Sequence, residues 1–143
     1  VNSGQSGDTT SAALNRIGWV IKTKPEIVIL ELGGNDALRG MPPENAKKNL
    51  ETIIEKLKSN KIKILLAGMK APKNLGEKYT TTFDNMYPEL AKKYKLPLIP
   101  FFLAGVALDK KLNIEDGIHP NKKGYLKIVD NNIWKYLKPI LKK

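Results

Sequence analysis

The sequence IVILELGGND, residues 27–36, joins a short apolar run to a polar turn that contains two glycines. The run Ile27–Leu32 is rich in β-branched residues and predicts a buried strand. The two glycines let the backbone turn sharply at the end of that strand. Asn35 then offers an amide donor at the sheet edge, where it suits a developing oxyanion, and Asp36 caps or braces the turn. The simpler alternative is an ordinary turn that uses Asn and Asp for their turn propensity.

The rest of the chain repeats this alternation of strand and helix. The apolar runs Ile62–Gly68 and Leu96–Phe102 predict two more strands. Apolar residues at helical spacing predict four helices: Leu14, Ile17 and Ile21; Ala46, Leu50, Ile53, Ile54 and Leu57; Phe83, Met86, Tyr87, Leu90 and Tyr94; and Leu126, Val129, Ile133 and Leu137. Thr9 or Thr10 is expected to cap the first helix, and Pro139 to end the last. This order predicts an α/β domain with a parallel sheet and helices on both faces.

Length and composition agree with one globular domain of 143 residues. The chain has no cysteine, which excludes thiol nucleophiles, cysteine-based zinc sites and Fe–S sites. No apolar run is long enough to span a bilayer.

The formal net charge is +11, and only Arg16 and Arg39 of the 25 basic residues are arginines. The lysines lie mostly on the polar sides of the predicted helices, so solvated helix faces are the leading interpretation. No motif or aromatic interleaving indicates a specific nucleic-acid partner. The remaining alternatives are an electrostatic, non-specific nucleic-acid binder and transient attraction to an anionic membrane surface or lipid substrate.

The only histidine lies in EDGIHPN, residues 115–121. Asp116 precedes His119 by three residues, so its carboxylate can hold the imidazole in one tautomer. Pro120 restricts the backbone before it, and Asn121 can cap the last helix. The alternative is that Asp116 or Asn121 only caps that helix. In an open parallel sheet, the stretches GGND, MKAPKN and EDGIHPN converge at the carboxyl ends of the strands.

The first polar stretch, SGQSGDTT, spans residues 3–10. Gly7 can offer a backbone N–H to an oxyanion. A phosphate-binding loop would require a strand directly upstream, and none is visible. Ser6 as a nucleophile is disfavoured, because Asp8 stands where the G-x-S-x-G elbow requires glycine.

Three short blocks in this order, SGDT, LGGND and DGIHPN, resemble blocks of the SGNH (GDSL) hydrolases. The similarity is greatest to the bacterial thioesterase, arylesterase and lysophospholipase group, and it covers essentially all 143 residues. The resemblance implies a flavodoxin-like, three-layer α/β fold. It also implies a serine ester or thioester hydrolase that works through an acyl-enzyme on small acyl-ester or lipid substrates, with no metal or organic cofactor.

The resemblance also assigns residues. Asp116 and His119 correspond to the catalytic acid and base, and Gly7 and Asn35 to the oxyanion hole. The segment Ala37–Met41 resembles a mobile loop that closes on the acyl chain, and Met69–Pro72 resembles a substrate-lining loop. The substrate-binding residues implied in these two loops are Leu38, Arg39, Gly40, Met69 and Pro72.

One departure from the family is the absence of its first block, GDS, which carries the nucleophilic serine. With a first residue other than methionine, this predicts that residues 1–143 are the C-terminal portion of one SGNH domain. A strand, a helix and a second strand are then expected upstream, and Ile27–Leu32 becomes an unpaired edge. Export to the periplasm or outside the cell is expected by resemblance. The alternatives are a non-catalytic or degenerate binding module and a carbohydrate acetylesterase.

Overall fold

The computed structural model describes residues 1–141, which form a parallel sheet with helices on both faces. Strand β1 (Ile27–Glu31) pairs with β2 (Lys63–Ala67), and β2 pairs with β3 (Leu98–Ile99). The strand order among these residues is β1-β2-β3. The predicted α/β class with a parallel sheet is confirmed.

The third strand is shorter than predicted, because regular pairing is confined to Leu98 and Ile99. Pro97 and Pro100 flank this pair, and proline has no N–H to donate to a ladder. The chain nevertheless continues beside β2, since the Phe102 N–H donates to the Gly68 carbonyl at 2.8 Å. The predicted segment therefore runs along the sheet without being a full strand.

Six α-helices surround the sheet within residues 1–141: α1 (Thr10–Lys22), α2 (Gly34–Leu38), α3 (Pro43–Ser59), α4 (Glu77–Tyr94), α5 (Lys122–Lys127) and α6 (Trp134–Leu141). A 3₁₀ turn at Lys73–Leu75 precedes α4, and a π-helical segment at Ile128–Ile133 joins α5 to α6. None of these described helices has the length and apolar character needed to cross a membrane.

The last helix continues past the residue that was expected to end it. Pro139 lies inside α6, and the helix extends to Leu141. Leu137 and Ile140, on either side of Pro139, both pack against the sheet. Apolar packing on both sides therefore outweighs the loss of one backbone hydrogen bond at this proline.

Two apolar clusters give the molecule its three layers. Helices α1, α3 and α4 bury one face of the sheet, with Leu50, Leu57 and Phe83 completely inaccessible. The α6 region covers the other face, where its apolar residues pack against Leu65 and Ile99. This layering is the one that the family resemblance implies.

Strand β1 has a partner on one side only within the described residues. Its side chains alternate in burial, and Ile29 retains 39% of its accessible surface. Residues 1–141 therefore contain the unpaired apolar edge that was expected for Ile27–Leu32.

Candidate active site

A cavity of about 210 Å³ lies at the carboxyl edge of the sheet. Its wall includes Asn35, which follows β1, Met69, which follows β2, and Phe102, which follows β3. His119 completes the wall beside them. The polar stretches therefore converge where the strand order predicts.

His119 and Asp116 form a direct pair. The Nδ1 atom of His119 lies 2.6 Å from Oδ2 of Asp116. The other carboxylate oxygen accepts the backbone N–H groups of Ile118 and His119, each at 2.9 Å. The backbone bond from His119, its imidazole and the Ile118 N–H lower the pKa of Asp116 to about 2. An ionised carboxylate can only accept here, so neutral His119 carries its proton on Nδ1 and leaves the Nε2 lone pair free.

A network of local hydrogen bonds fixes the loop that carries this pair. The Ile114 N–H donates to the His119 carbonyl, and Asn113 forms an isolated antiparallel bridge with Pro120. Asn121 caps α5 as predicted, since its side chain accepts the Gly124 N–H at 3.1 Å. His119 is thus held at the start of a helix, although its side chain remains 59% exposed.

The predicted turn after β1 is in fact the start of a helix, α2, which places Asn35 in its first turn. Gly33 precedes it with φ of +106°, in the left-handed region that favours glycine. A Cβ atom at this position would overlap the hydroxyl of Tyr87, which donates to the Leu32 carbonyl at 2.8 Å. Gly33 therefore permits both the sharp turn and the close approach of α4.

Asn35 faces the cavity that also contains His119. Its Nδ2 atom donates one hydrogen to the Asp8 carbonyl at 2.9 Å. The amide is planar, so this bond fixes the direction of the second N–H. One donor of Asn35 is structural, and the second is available to a ligand.

Gly7 lies in a tight turn beside the cavity, between the wall residues Gln5 and Asp8. The Asp8 N–H donates to the Gln5 carbonyl at 3.2 Å, and Gly7 has φ of +80°. A positive φ at the third residue is typical of a type II turn. Within residues 1–141 the Gly7 N–H has no hydrogen-bond partner, so it too is available to a ligand.

Asp36 braces the site, as the sequence predicts. It is only 1% exposed, and its carboxylate accepts both the N–H and the hydroxyl of Thr10, at 2.9 and 2.7 Å. Thr9 caps α1 by accepting the Ala12 N–H at 3.2 Å. The hydrogen bonds between Thr10 and Asp36 therefore hold the start of α1 against α2.

A second cavity of about 510 Å³ adjoins the first, and Leu38, Met69 and Ile118 line both. Pro72 lines the second cavity but not the first. Three of the five predicted substrate-binding residues, Leu38, Met69 and Pro72, are thus on cavity walls. The other two, Arg39 and Gly40, are on neither wall.

Sequence reasoning missed part of this second cavity. Leu103 and Leu108 lie in its wall, in the irregular segment between β3 and the histidine loop. Leu108 is 90% exposed and has φ of +65°, which is unusual for a residue other than glycine. The available indication was that this irregular segment is rich in apolar residues, among them Leu103, Val106 and Leu108.

None of the serines lies in the wall that includes His119. The sequence contains Ser3, Ser6, Ser11 and Ser59. Within residues 1–141 no serine hydroxyl is hydrogen-bonded to the imidazole. His119 and Asn35 therefore share this wall without any of the four serines.

Comparisons with known proteins match nearly the whole chain. The profile of the GDSL-like Lipase/Acylhydrolase family matches residues 1–127. Esterase TesA of Pseudomonas aeruginosa is 39% identical over 142 residues, covering 99% of this chain and 70% of that protein. Thioesterase 1/protease 1/lysophospholipase L1 of Escherichia coli K12 is 38% identical over 144 residues, covering 99% of this chain and 68% of that protein.

The same similarity is found among solved structures. A crystal structure of TesA matches with a TM-score of 0.91 at 38% identity, covering 98% of this chain and 78% of that one. Gly7, Asn35, Asp116 and His119 lie within residues 1–127, the range that the family profile matches.

Proposed function

Because this chain belongs to the GDSL-like lipase/acylhydrolase family, we propose that it hydrolyses acyl esters or thioesters through a serine acyl-enzyme. The observation that carries the proposal is one cavity lined by both His119, already paired with Asp116, and Asn35. Relatives named as esterase, thioesterase and lysophospholipase support the same class of reaction.

His119 acts as the general base in this proposal. Its Nε2 lone pair removes the proton from a serine hydroxyl as the oxygen attacks the acyl carbonyl. The proton then passes to the leaving alcohol or thiol. Asp116 stays ionised throughout and stabilises the imidazolium formed between these steps, because its pKa is about 2.

Asn35 and Gly7 stabilise the tetrahedral intermediate. The bond to the Asp8 carbonyl fixes the direction of the free Asn35 N–H, and the Gly7 N–H, which has no partner within residues 1–141, is the second donor. Donors that are fixed in place before the reaction need no reorganisation as negative charge develops on the carbonyl oxygen. Water then hydrolyses the acyl-enzyme by the same steps.

We also propose that the nucleophile is a serine other than Ser3, Ser6, Ser11 and Ser59. The support is that none of these four lies in the wall of the cavity with His119. In the protein made from its complete gene, each of the four serine-to-alanine variants is expected to form the acyl-enzyme as the wild type does. Loss of the acyl-enzyme in Ser6→Ala would contradict this proposal.

The adjoining cavity of about 510 Å³ is proposed to receive the acyl chain. Its volume lies within the usual range for small-molecule sites, and Leu38, Met69, Leu103 and Ile118 provide apolar walls directly beside the reacting carbonyl. This favours acyl chains of several methylenes over acetyl groups. The shared wall leads from one cavity to the other, as an ester with its acyl chain extended requires.

Asn35→Ala tests the proposal. Loss of one oxyanion donor is expected to lower kcat by about 10²–10³-fold on a p-nitrophenyl ester. Asn45→Ala is the matched control, because Asn45 is exposed on α3 and is absent from both cavity walls. Equal rates for Asn35→Ala and wild type would refute the oxyanion assignment. Failure of the wild-type protein to hydrolyse any of a series of acyl esters and thioesters would refute the function.

A further inference from the structure

One face of α2 binds the loop that carries Gly7. Asn35 donates to the Asp8 carbonyl, and Asp36 accepts from Thr10. Arg39, at the C-terminal end of α2, donates from Nη2 to the Gly7 carbonyl at 3.0 Å. Positions 35, 36 and 39 project from the same side of a helix, so the three contacts act together.

Arg16 of α1 holds the same loop from the other side. Its Nε and Nη2 atoms both lie 2.6 Å from the Asp8 carboxylate, and its Nη1 atom donates to the Ser3 carbonyl at 2.7 Å. Arg16 and Arg39 are the only arginines of the sequence, although it has 25 basic residues. Both bind the loop between Ser3 and Asp8. A planar guanidinium can fix the direction of a bond in a way that a lysine ammonium cannot.

We propose that Arg39 is a positioning residue, which sets the Gly7 N–H relative to the Asn35 amide. This inference rests on the function proposed above. Gly7 has the freest backbone of any residue type, so its N–H can change direction unless its neighbouring peptide is held. Arg39 holds the peptide that follows Gly7, because it donates a hydrogen bond to the Gly7 carbonyl. Arg39 directly follows α2, which carries Asn35, so the group that binds the Gly7 carbonyl and the Asn35 amide lie on one short segment.

This role differs from substrate binding, which the family resemblance implies for Arg39. Arg39 contributes to neither cavity wall, and its hydrogen bond goes to the protein backbone. A residue that binds substrate in the ground state changes KM when it is removed. A residue that aligns a donor for the transition state changes kcat and leaves KM nearly constant.

The experiment compares Arg39→Met, Arg39→Lys and the control Lys92→Met in the protein made from its complete gene. Lys92→Met also removes one positive charge, from an exposed position on α4. Arg39→Met is expected to lower kcat on a neutral p-nitrophenyl ester by about tenfold to a hundredfold. KM and the midpoint of urea unfolding should stay near the wild-type values, because Arg39 is exposed. Arg39→Lys, which keeps a donor, should recover part of the lost rate.

A boronic acid provides a second measurement, because it forms a tetrahedral anion on the catalytic serine and uses the same oxyanion donors. Its inhibition constant should rise in Arg39→Met by about the same factor as kcat falls. Unchanged kcat, or a higher KM for anionic esters alone, would overturn the positioning role. If Asn35→Ala is impaired while Arg39→Met equals wild type, only this inference fails. A wild-type protein without ester hydrolysis would overturn the proposed function as well.

Discussion

Gly33→Ala should destabilise the protein strongly, because Gly33 is constrained in two independent ways. Its φ of +106° is unfavourable for alanine. The added Cβ would overlap the Tyr87 hydroxyl and lie 3.3 Å from Cε of Met86. Tyr87 and Met86 are each only 1% exposed, so neither can move into solvent. The hydroxyl can move away only by losing its bond to the Leu32 carbonyl.

The expected cost follows from these two terms. Backbone strain at a positive φ costs about 1–3 kcal/mol. Leaving a buried hydrogen-bonding group without its partner costs about 1–3 kcal/mol more. The sum, about 2–6 kcal/mol, is a large part of the 5–15 kcal/mol that stabilises a typical domain. Because Asn35 lies two residues away on α2, activity should fall along with stability.

Gly76→Ala is the matched control. Gly76 has φ of +88°, but a Cβ there would have no atom within 4 Å. Only the backbone term applies, so its cost should be about 1–3 kcal/mol. The difference between the two variants then measures the steric term at Gly33.

The assay is urea unfolding, which gives the free energy of unfolding of each variant. The variants are Gly33→Ala, Gly76→Ala, Tyr87→Phe and the double variant Gly33→Ala/Tyr87→Phe. Removing the hydroxyl should make Gly33→Ala less costly by at least about 1 kcal/mol, since the two residues are in contact. Equal losses of unfolding free energy in Gly33→Ala and Gly76→Ala, or strict additivity in the double variant, would show that the Tyr87 hydroxyl does not restrict position 33.

Three other predictions concern the site. Asp116→Asn should lower kcat, toward about 10⁴-fold, because the neutral amide no longer fixes the imidazole tautomer; a loss below about tenfold would argue against the pair. The pKa of Asp116 is lowered from 3.8 to about 2, so its contribution to catalysis is complete above about pH 4 and is lost as the pH falls through 2. Because Asp116 takes up no proton above about pH 4, the acid limb of log kcat/KM should have a slope of one there, and a slope of two would contradict this. Each added acyl methylene should raise kcat/KM about fourfold until the apolar cavity is filled, as about 0.8 kcal/mol per methylene requires; a flat profile, or preference for acetyl, would favour an acetylesterase instead.

The features that the sequence predicted well are local. The caps at Thr9 and Asn121 and the pairing of Asp116 with His119 depend on residues at most three positions apart. The apolar stripes of α1, α3 and α4 are also local patterns. The α3 stripe is buried throughout, whereas Leu14 and Ile21 on α1 and Tyr94 on α4 are only partly buried. The stripe of α4 even continues across Pro88. Helix α6 likewise continues across Pro139, where the partly buried Leu137 and Ile140 pack against the sheet on either side of the proline.

The features that the sequence did not predict depend on distant contacts. The glycines at 33 and 34 gave no local indication that a helix starts there. In the structure, α2 follows Gly33, beside which Tyr87 of α4 packs. Arg39 meets Gly7 across 32 positions of sequence, and no pattern within either segment indicates that bond. The wall of the cavity of about 510 Å³ likewise joins Leu38 to Leu108 through the tertiary fold alone. Local sequence therefore indicates the pairing of Asp116 with His119, whereas the contacts around Gly7 and Asn35 are visible only in the structure.

The most direct test of the proposed function is whether Asp116 holds neutral His119 with a free Nε2 lone pair. This chain has one histidine, so the imidazole gives unambiguous ¹⁵N resonances in histidine-labelled protein. In the neutral form of the ring, Nδ1 should be protonated and Nε2 unprotonated, and this preference should be lost in Asp116→Ala. A neutral ring protonated mainly on Nε2 in the wild-type protein would show that Asp116 does not set the tautomer.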